Sequence, residues 1–121
     1  MKMIVKQEIE LSENVTQQNV NDIIAQQIEE HDLLIYMKGN PLLPQCGFSA
    51  QVIEIFNRME VSYRTFDILS NDTMREGLKE FSNWPTFPQV YFNQKFIGGC
   101  DIVTEMYNSG DLSKLVHEQP S

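Results

Sequence analysis

Two cysteines in a chain of 121 residues are too few to staple a secreted scaffold, so each is a candidate for a reactive, ligating or simply buried sulfur. Basic residues are scarce as well: 9 Lys and Arg stand against 17 Asp and Glu, leaving a net charge of −8. No Arg-rich run or basic helix face is present to follow a phosphate backbone, which argues against nucleic acid as a partner. Long apolar runs are missing too. The longest, Leu33–Met37, falls far short of the roughly 20 residues needed to cross a bilayer, so no membrane partner is expected. The opening Met1-Lys2-Met3-Ile4-Val5-Lys6 has basic residues without an apolar segment of signal-peptide length, and Glu8, Glu10 and Glu13 argue against a transit peptide. The expected location is the cytoplasm, with a mitochondrial or other organelle matrix as the alternative.

What is present is an ordinary globular composition, 41% hydrophobic and 21% charged, in a length that suits one domain around one core. Residues 1–14 are polar and without a clear period, and read as a flexible N-terminal extension to a domain spanning residues 15–118. Val20, Ile23, Ile24 and Ile28 then fall on one helical face, with Asn14 or Thr16 available as N-cap. His31-Asp32 breaks that helix. The short, unalternating run Leu33–Met37 reads as a strand buried on both faces. Residues 40–45 form a loop by their two prolines, after which Phe48, Val52, Phe56 and Met59 restore the helical period.

A second strand is expected within residues 61–68, and Asn71-Asp72 can cap a helix carrying Met74, Leu78 and Phe81 in spite of Gly77. Pro85 and Pro88 break the chain before Gln89-Val90-Tyr91-Phe92, Asn93-Gln94 and Lys95-Phe96-Ile97, which read as a β-hairpin. Asp101 can cap a last helix closed by Gly110, with a further helical turn at Asp111–His117. The order α-β-α-β-α-β-β-α fits one mixed α/β sheet with helices on both faces.

Cys46 stands out by its position, after a proline loop and at the start of a helix. Unpaired N–H groups and the helix dipole there favour a thiolate, which would make Cys46 a nucleophile or a metal ligand; the alternative is a small buried hydrophobe. Ser49 lies three residues on, where a Cys-x-x-Cys redox site keeps its second thiol. A hydroxyl cannot close a disulfide, so Cys46 could pair only with another molecule or with distant Cys100.

Lys38-Gly39, Pro44-Gln45-Cys46-Gly47-Phe48-Ser49, Trp84-Pro85-Thr86-Phe87-Pro88 and Gly98-Gly99-Cys100-Asp101, four separated blocks in order, together resemble the monothiol glutaredoxins with a Cys-Gly-Phe-Ser active site. The resemblance runs over roughly residues 17–117. It implies a thioredoxin-like (glutaredoxin) fold with a mixed four-stranded sheet flanked by helices on both faces. It also implies glutathione binding and, in the dimer, a [2Fe-2S] cluster passed to other proteins.

By the same resemblance Cys46 is the catalytic thiol and the metal ligand. Lys38, Arg75 and Lys79 match the positions that bind the glycyl carboxylate of glutathione, and the alternative for the last two is a solvated helix face. Phe87 precedes the residue that matches the cis-proline of the fold, where backbone pairs with the cysteinyl part of the tripeptide. Asp101 and the Cys100 backbone match the γ-glutamyl end. Some relatives link the matching Cys to the active-site one; a packed, inert Cys100 is the other reading. Trp84 reads as a packing anchor, Tyr36, Met37, Tyr91 and Phe92 as core, and neither His31 nor His117 is given a site role.

A [2Fe-2S] core takes four thiolates, so one Cys46 from each of two chains and two glutathione thiolates would complete the set in a homodimer. The function implied is cluster storage, transfer and biogenesis, with a BolA-family protein and apo iron-sulfur client proteins as partners. The alternative is glutathione-dependent thiol–disulfide exchange (protein deglutathionylation), at which members with this site are generally weak.

Overall fold

The computed structural model describes residues 3–117; the first two residues of the N-terminal extension and residue 118, the expected end of the domain, lie outside the described residues. Strand β2 (Leu33–Met37) runs through the middle of the molecule. Leu33, Ile35 and Met37 enter one core while Leu34 and Tyr36 enter another on the opposite face, which is why the run shows no polar alternation. β5 (Tyr63–Asp67) pairs parallel to β2 on one side, β6 (Gln89–Phe92) antiparallel on the other, and β7 (Lys95–Gly98) antiparallel to β6. On the first face α2 (Gly47–Met59), α4 (Cys100–Ser109) and α5 (Asp111–His117) contribute Val52, Ile53, Phe56, Val103 and Leu112. On the second, α1 (Val20–Glu30) and α3 (Asp72–Ser82) contribute Ile24, Ile28, Met74 and Leu78.

Gly77 costs α3 helix propensity but lets the two helices of the second face close up. A Cβ there would lie 2.6 Å from Val20 Cγ2. The Asn71 side chain caps α3 by accepting the Met74 N–H at 2.9 Å, as its sequence context suggests. Asn93 (φ 48°) and Gln94 (φ 70°) form the left-handed pair that a two-residue hairpin demands.

Among the described residues the sheet has five strands where four were expected, four of them in the order β5-β2-β6-β7. The additional strand, β1 (Lys6–Glu8), comes from the N-terminal segment and pairs parallel to β5. Its three side chains are all exposed, so no hydrophobic period betrays it; backbone bonds hold it, from the Tyr63 N–H to Val5 O (2.8 Å) and from the Ile9 N–H to Thr65 O (2.7 Å). Ile9, Leu11 and Val15 follow it onto the second core. Helix α1 also starts later than Asn14 or Thr16 would place it. The Thr16 N–H donates to Asn19 Oδ1 at 2.7 Å and the Asn19 N–H to Thr16 Oγ1 at 3.2 Å, a separate turn leading into Val20.

Part of the expected loop at residues 40–45 is a small antiparallel ribbon of β3 (Gly39–Asn40) and β4 (Leu43–Pro44). Asn40 Oδ1 turns it by accepting both the Leu42 and Leu43 N–H groups at 3.0 Å. At its base Gly39 adopts φ 86° and donates its N–H to Asp67 Oδ1 (2.9 Å), tying the ribbon to the end of β5.

Candidate functional site

The ribbon hands the chain to Cys46, whose extended backbone (φ −155°, ψ 137°) occupies the N-cap of α2 while its side chain makes no capping bond. The first-turn N–H groups act on the sulfur as nearby dipoles, without closing a capping bond to it. Cys46 is pulled below the ordinary thiol range, first by the Ser49 backbone N–H; the Phe48 N–H, the Lys38 charge and the Ser49 hydroxyl add to this against partial burial. Ser49 is fully buried, and its Oγ accepts the Lys38 N–H at 3.1 Å. The residue that replaces a second thiol thus fastens the end of β2 to α2, and its hydroxyl adds a small downward pull on the first thiol.

Cys46 opens into a groove of about 580 Å³. The residues that the resemblance assigns to ligand binding all line it: Lys38 just after β2, Arg75 and Lys79 from α3, Phe87 ahead of β6, and Cys100 and Asp101 from the start of α4. The Phe87–Pro88 peptide is cis. Spacing along the chain did not reveal Phe48 and Leu69. Helical periodicity assigns Phe48 to the core, yet it is 60% exposed, on the first turn of α2 where it lines the groove. Phe81 departs the same way, 42% exposed at the last turn of α3. Trp84 lines the groove too; its ring packs on Phe96 at 5.6 Å and its buried Nε1 has no hydrogen-bond partner among the described residues.

The charges are asymmetric. Arg75 and Lys79 lie one turn apart on α3 and are held by the helix's own carboxylates: Arg75 by Asp72 (3.1 Å) and Glu76 (3.5 Å), Lys79 by Glu76 (3.1 Å). Glu76 is lowered from the usual carboxylate range chiefly by the Lys79 hydrogen bond. The carboxylates of these pairs are exposed and the cations about a third exposed, so solvent weakens the pairs and the cations can turn to an incoming anion. Across the groove stands Asp101, exposed.

Asp101 is not the cap that its sequence context suggests. Gly99 is the N-cap of α4, and Asp101 sits inside the first turn, where its carboxylate still faces the positive end of the helix dipole. Gly99 packs so tightly that a Cβ would lie 3.1 Å from Trp84 Nε1 and 3.2 Å from Pro88 O. Cys100 is buried. Burial pushes its thiol up, with smaller pushes from Asp101 and Cys46, against a Thr104 hydroxyl 3.9 Å from Sγ. Both cysteines are free thiols. Among the described residues no helix is long and apolar enough to cross a membrane.

Residues 33–97 match the model of the family described as Glutaredoxin. Among sequence relatives, Glutaredoxin 4 of Haemophilus ducreyi is 47% identical over 97 residues, covering 80% of this chain and 91% of that protein. A Synechocystis protein named "Uncharacterized monothiol glutaredoxin ycf64-like" is 44% identical over 93 residues, 77% of this chain and 87% of its own. Against the longer Monothiol glutaredoxin-S17 of Arabidopsis thaliana, 43% identical over 102 residues and 84% of this chain, the match spans only 21% of the relative. The solution structure of reduced poplar apo GrxS14 superposes with a TM-score of 0.72 at 40% identity, covering 82% of this chain and 91% of that one. The fold is therefore the thioredoxin-like one of the glutaredoxins. Matched by the family model from β2 into β7, and by relatives of this kind along most of its length, the chain belongs to the glutaredoxin family.

Proposed function

We propose that the chain binds glutathione in this groove and that two copies carry a [2Fe-2S] cluster as cargo, for storage and delivery to other proteins. The observation that carries the reading is one accessible, thiolate-prone sulfur, Cys46, with Ser49 where a second thiol would sit. Four thiolates are needed for such a cluster. The chain has two cysteines, and Cys100 is buried with its thiol pushed up, a poor ligand. One Cys46 from each of two chains and one glutathione thiolate beside each complete the set. Half of the ligands would then exchange with solution, which suits a carrier.

Glutathione brings two carboxylates and an amine. Lys38, Arg75 and Lys79 would take the glycyl carboxylate, and Asp101 with the Cys100 backbone the γ-glutamyl end. The backbone at Phe87 would lie along the cysteinyl middle, leaving the tripeptide sulfur near Cys46. In a chain of net charge −8, three cations lining the groove give an anionic ligand a local welcome that the whole-molecule field does not. Exposed Leu42 and Leu43 on the ribbon and Phe48 on α2 flank Cys46, and they offer apolar surface to a BolA-family protein or an apo iron-sulfur client.

Anaerobic reconstitution with iron, sulfide and glutathione is the test. A visible absorption band together with sedimentation as a dimer is expected; a colourless monomer would overturn the reading.

The lowered Cys46 thiol supports a second activity on the same groove. Its thiolate attacks the glutathione sulfur of a protein–glutathione disulfide, releasing the protein thiolate. A second glutathione thiolate then frees Cys46 and leaves as glutathione disulfide. Fast turnover on a glutathionylated substrate would put this exchange ahead of cluster carriage.

A further inference from the structure

Residues 84–87 belong to no helix or strand, yet all four line the groove. Such a segment must be held from outside itself. Gln89, the first residue of β6, is fully buried, does not line the groove, and spends both hydrogens of its side-chain amide on this segment. Nε2 donates to the carbonyls of Trp84 (3.1 Å) and Thr86 (3.3 Å), while Oε1 accepts the Tyr91 hydroxyl at a long 3.5 Å. Two carbonyls facing one nitrogen leave the amide a single orientation, since the flipped group would set its oxygen against both. Nothing else in the proposed chemistry uses this side chain.

A trans peptide points its C=O and N–H in opposite directions. The Thr86–Phe87 peptide is trans, so drawing Thr86 O inward to Gln89 turns the Phe87 N–H away from Gln89, at a residue that lines the groove. We infer that the buried Gln89 carboxamide is a positioning residue that sets the backbone of residues 84–87 for a peptide-like ligand. Its loss costs selectivity for that ligand and leaves thiol reactivity intact. The identity of the ligand as glutathione rests on the function proposed above.

The test compares two disulfides that exchange with Cys46. With glutathione disulfide, the Cys46 thiolate forms a bond to one glutathione sulfur as the sulfur–sulfur bond breaks, and the other sulfur leaves as glutathione thiolate. With 2-hydroxyethyl disulfide the same exchange delivers a group that has no peptide backbone for residues 84–87 to pair with. Equilibrium constants for both are measured on the full chain and on Gln89→Met, which keeps volume and loses both donors. The full chain is expected to favour glutathione, and Gln89→Met to lose about tenfold of that preference. Its 2-hydroxyethyl constant and the pH midpoint of Cys46 alkylation should hold.

An undiminished preference in Gln89→Met, or an equal fall in both constants, overturns the inference. A full chain with no preference overturns the glutathione reading and the inference with it. Should Gln89→Met not fold, hydrogen exchange on the full chain decides. The Gln89 side-chain amide protons are expected to exchange far more slowly than those of exposed Gln18, and equal rates overturn the assignment.

Discussion

Cys46 and Cys100 both sit where a helix begins, line the same groove and are unpaired, yet their thiols move in opposite directions. Cys46 is the N-cap, outside the first turn, where the nearby N–H groups of Ser49 and Phe48 pull its thiol down. Cys100 is one residue further in, with the cap taken by Gly99 and its sulfur turned into the first core. A helix N-terminus therefore does not by itself make a reactive cysteine. A shift of one position exchanges backbone donors for apolar neighbours, and burial then outweighs the dipole.

The sharpest way to break this comparison is to remove each sulfur in turn. Cys46→Ser is expected to abolish mixed-disulfide formation with glutathione disulfide and any reconstituted cluster. Cys100→Ser should keep both within a factor of about two, because its backbone remains in place. Mass spectrometry after incubation with glutathione disulfide reads the first effect and visible absorption the second. Loss of both in Cys100→Ser would make the two sulfurs a functional pair.

The next effect is in pH. Alkylation of the Cys100→Ser chain should rise with a midpoint below the free-thiol value of about 8.5, and that of Cys46→Ser with one above it. Stability follows with opposite signs. Cys46 has a depressed folded value, so its contribution is complete above about 8.5 and is lost as pH falls through that folded value. Cys100 has a raised one, so its contribution is present below about 8.5 and is lost as pH rises through its folded value. Denaturant unfolding of the two variants between neutral and alkaline pH should therefore show slopes that diverge; parallel slopes would refute the contrast.

Ser49→Ala separates the scaffold beneath Cys46 from its electrostatics. It leaves the Lys38 N–H without its acceptor, at an expected cost of about 1–3 kcal/mol measured by urea unfolding. The Cys46 midpoint should rise only a little, because the leading pull on the thiolate is the Ser49 backbone N–H, which alanine retains. A large rise with unchanged stability would reverse the assignment.

Much of this was legible in the sequence because local rules and burial agree there. The helical faces of α1, α2 and α3, the doubly buried β2 and the Asn71 cap all follow from short-range periodicity or side-chain chemistry. Features set by distant partners were not legible. β1 exists through pairing with β5, 57 residues away by register; Phe48, on the first turn of α2, lines the groove instead of entering the core; Asp101 loses its cap because α4 begins two residues earlier. At the site, the position of Cys46 could be argued from its neighbours. The meeting of Lys38, Arg75, Lys79 and Asp101 around it came only from the resemblance, since no spacing places α3 opposite the start of α4. Gln89 carried no signal at all: its role depends on the path of the proline segment before it.

The smallest expected effects lie around Cys100 and sharpen the comparison from its inert side. Thr104 Oγ1 accepts a hydrogen bond from Gln51 at 2.8 Å and lies 3.9 Å from Cys100 Sγ, where its hydroxyl hydrogen can meet a thiolate. That contact is what opposes the upward push of burial on this thiol. Thr104→Val keeps the shape and removes the donor, so Cys100 should alkylate still more slowly and at higher pH. Stability should change by no more than about 1 kcal/mol, because Gln51 is exposed and can turn to water. Cys46→Ser acts in the opposite sense. It deletes a neighbouring negative charge, so the Cys100 midpoint should drop slightly while staying above the free-thiol value. Alkylation followed by mass spectrometry in Cys46→Ser and in Cys46→Ser with Thr104→Val resolves the two contributions. If adding Thr104→Val speeds alkylation, the hydroxyl is shielding the sulfur rather than polarising it, and Cys100 is inert because access is blocked and not because its proton is held.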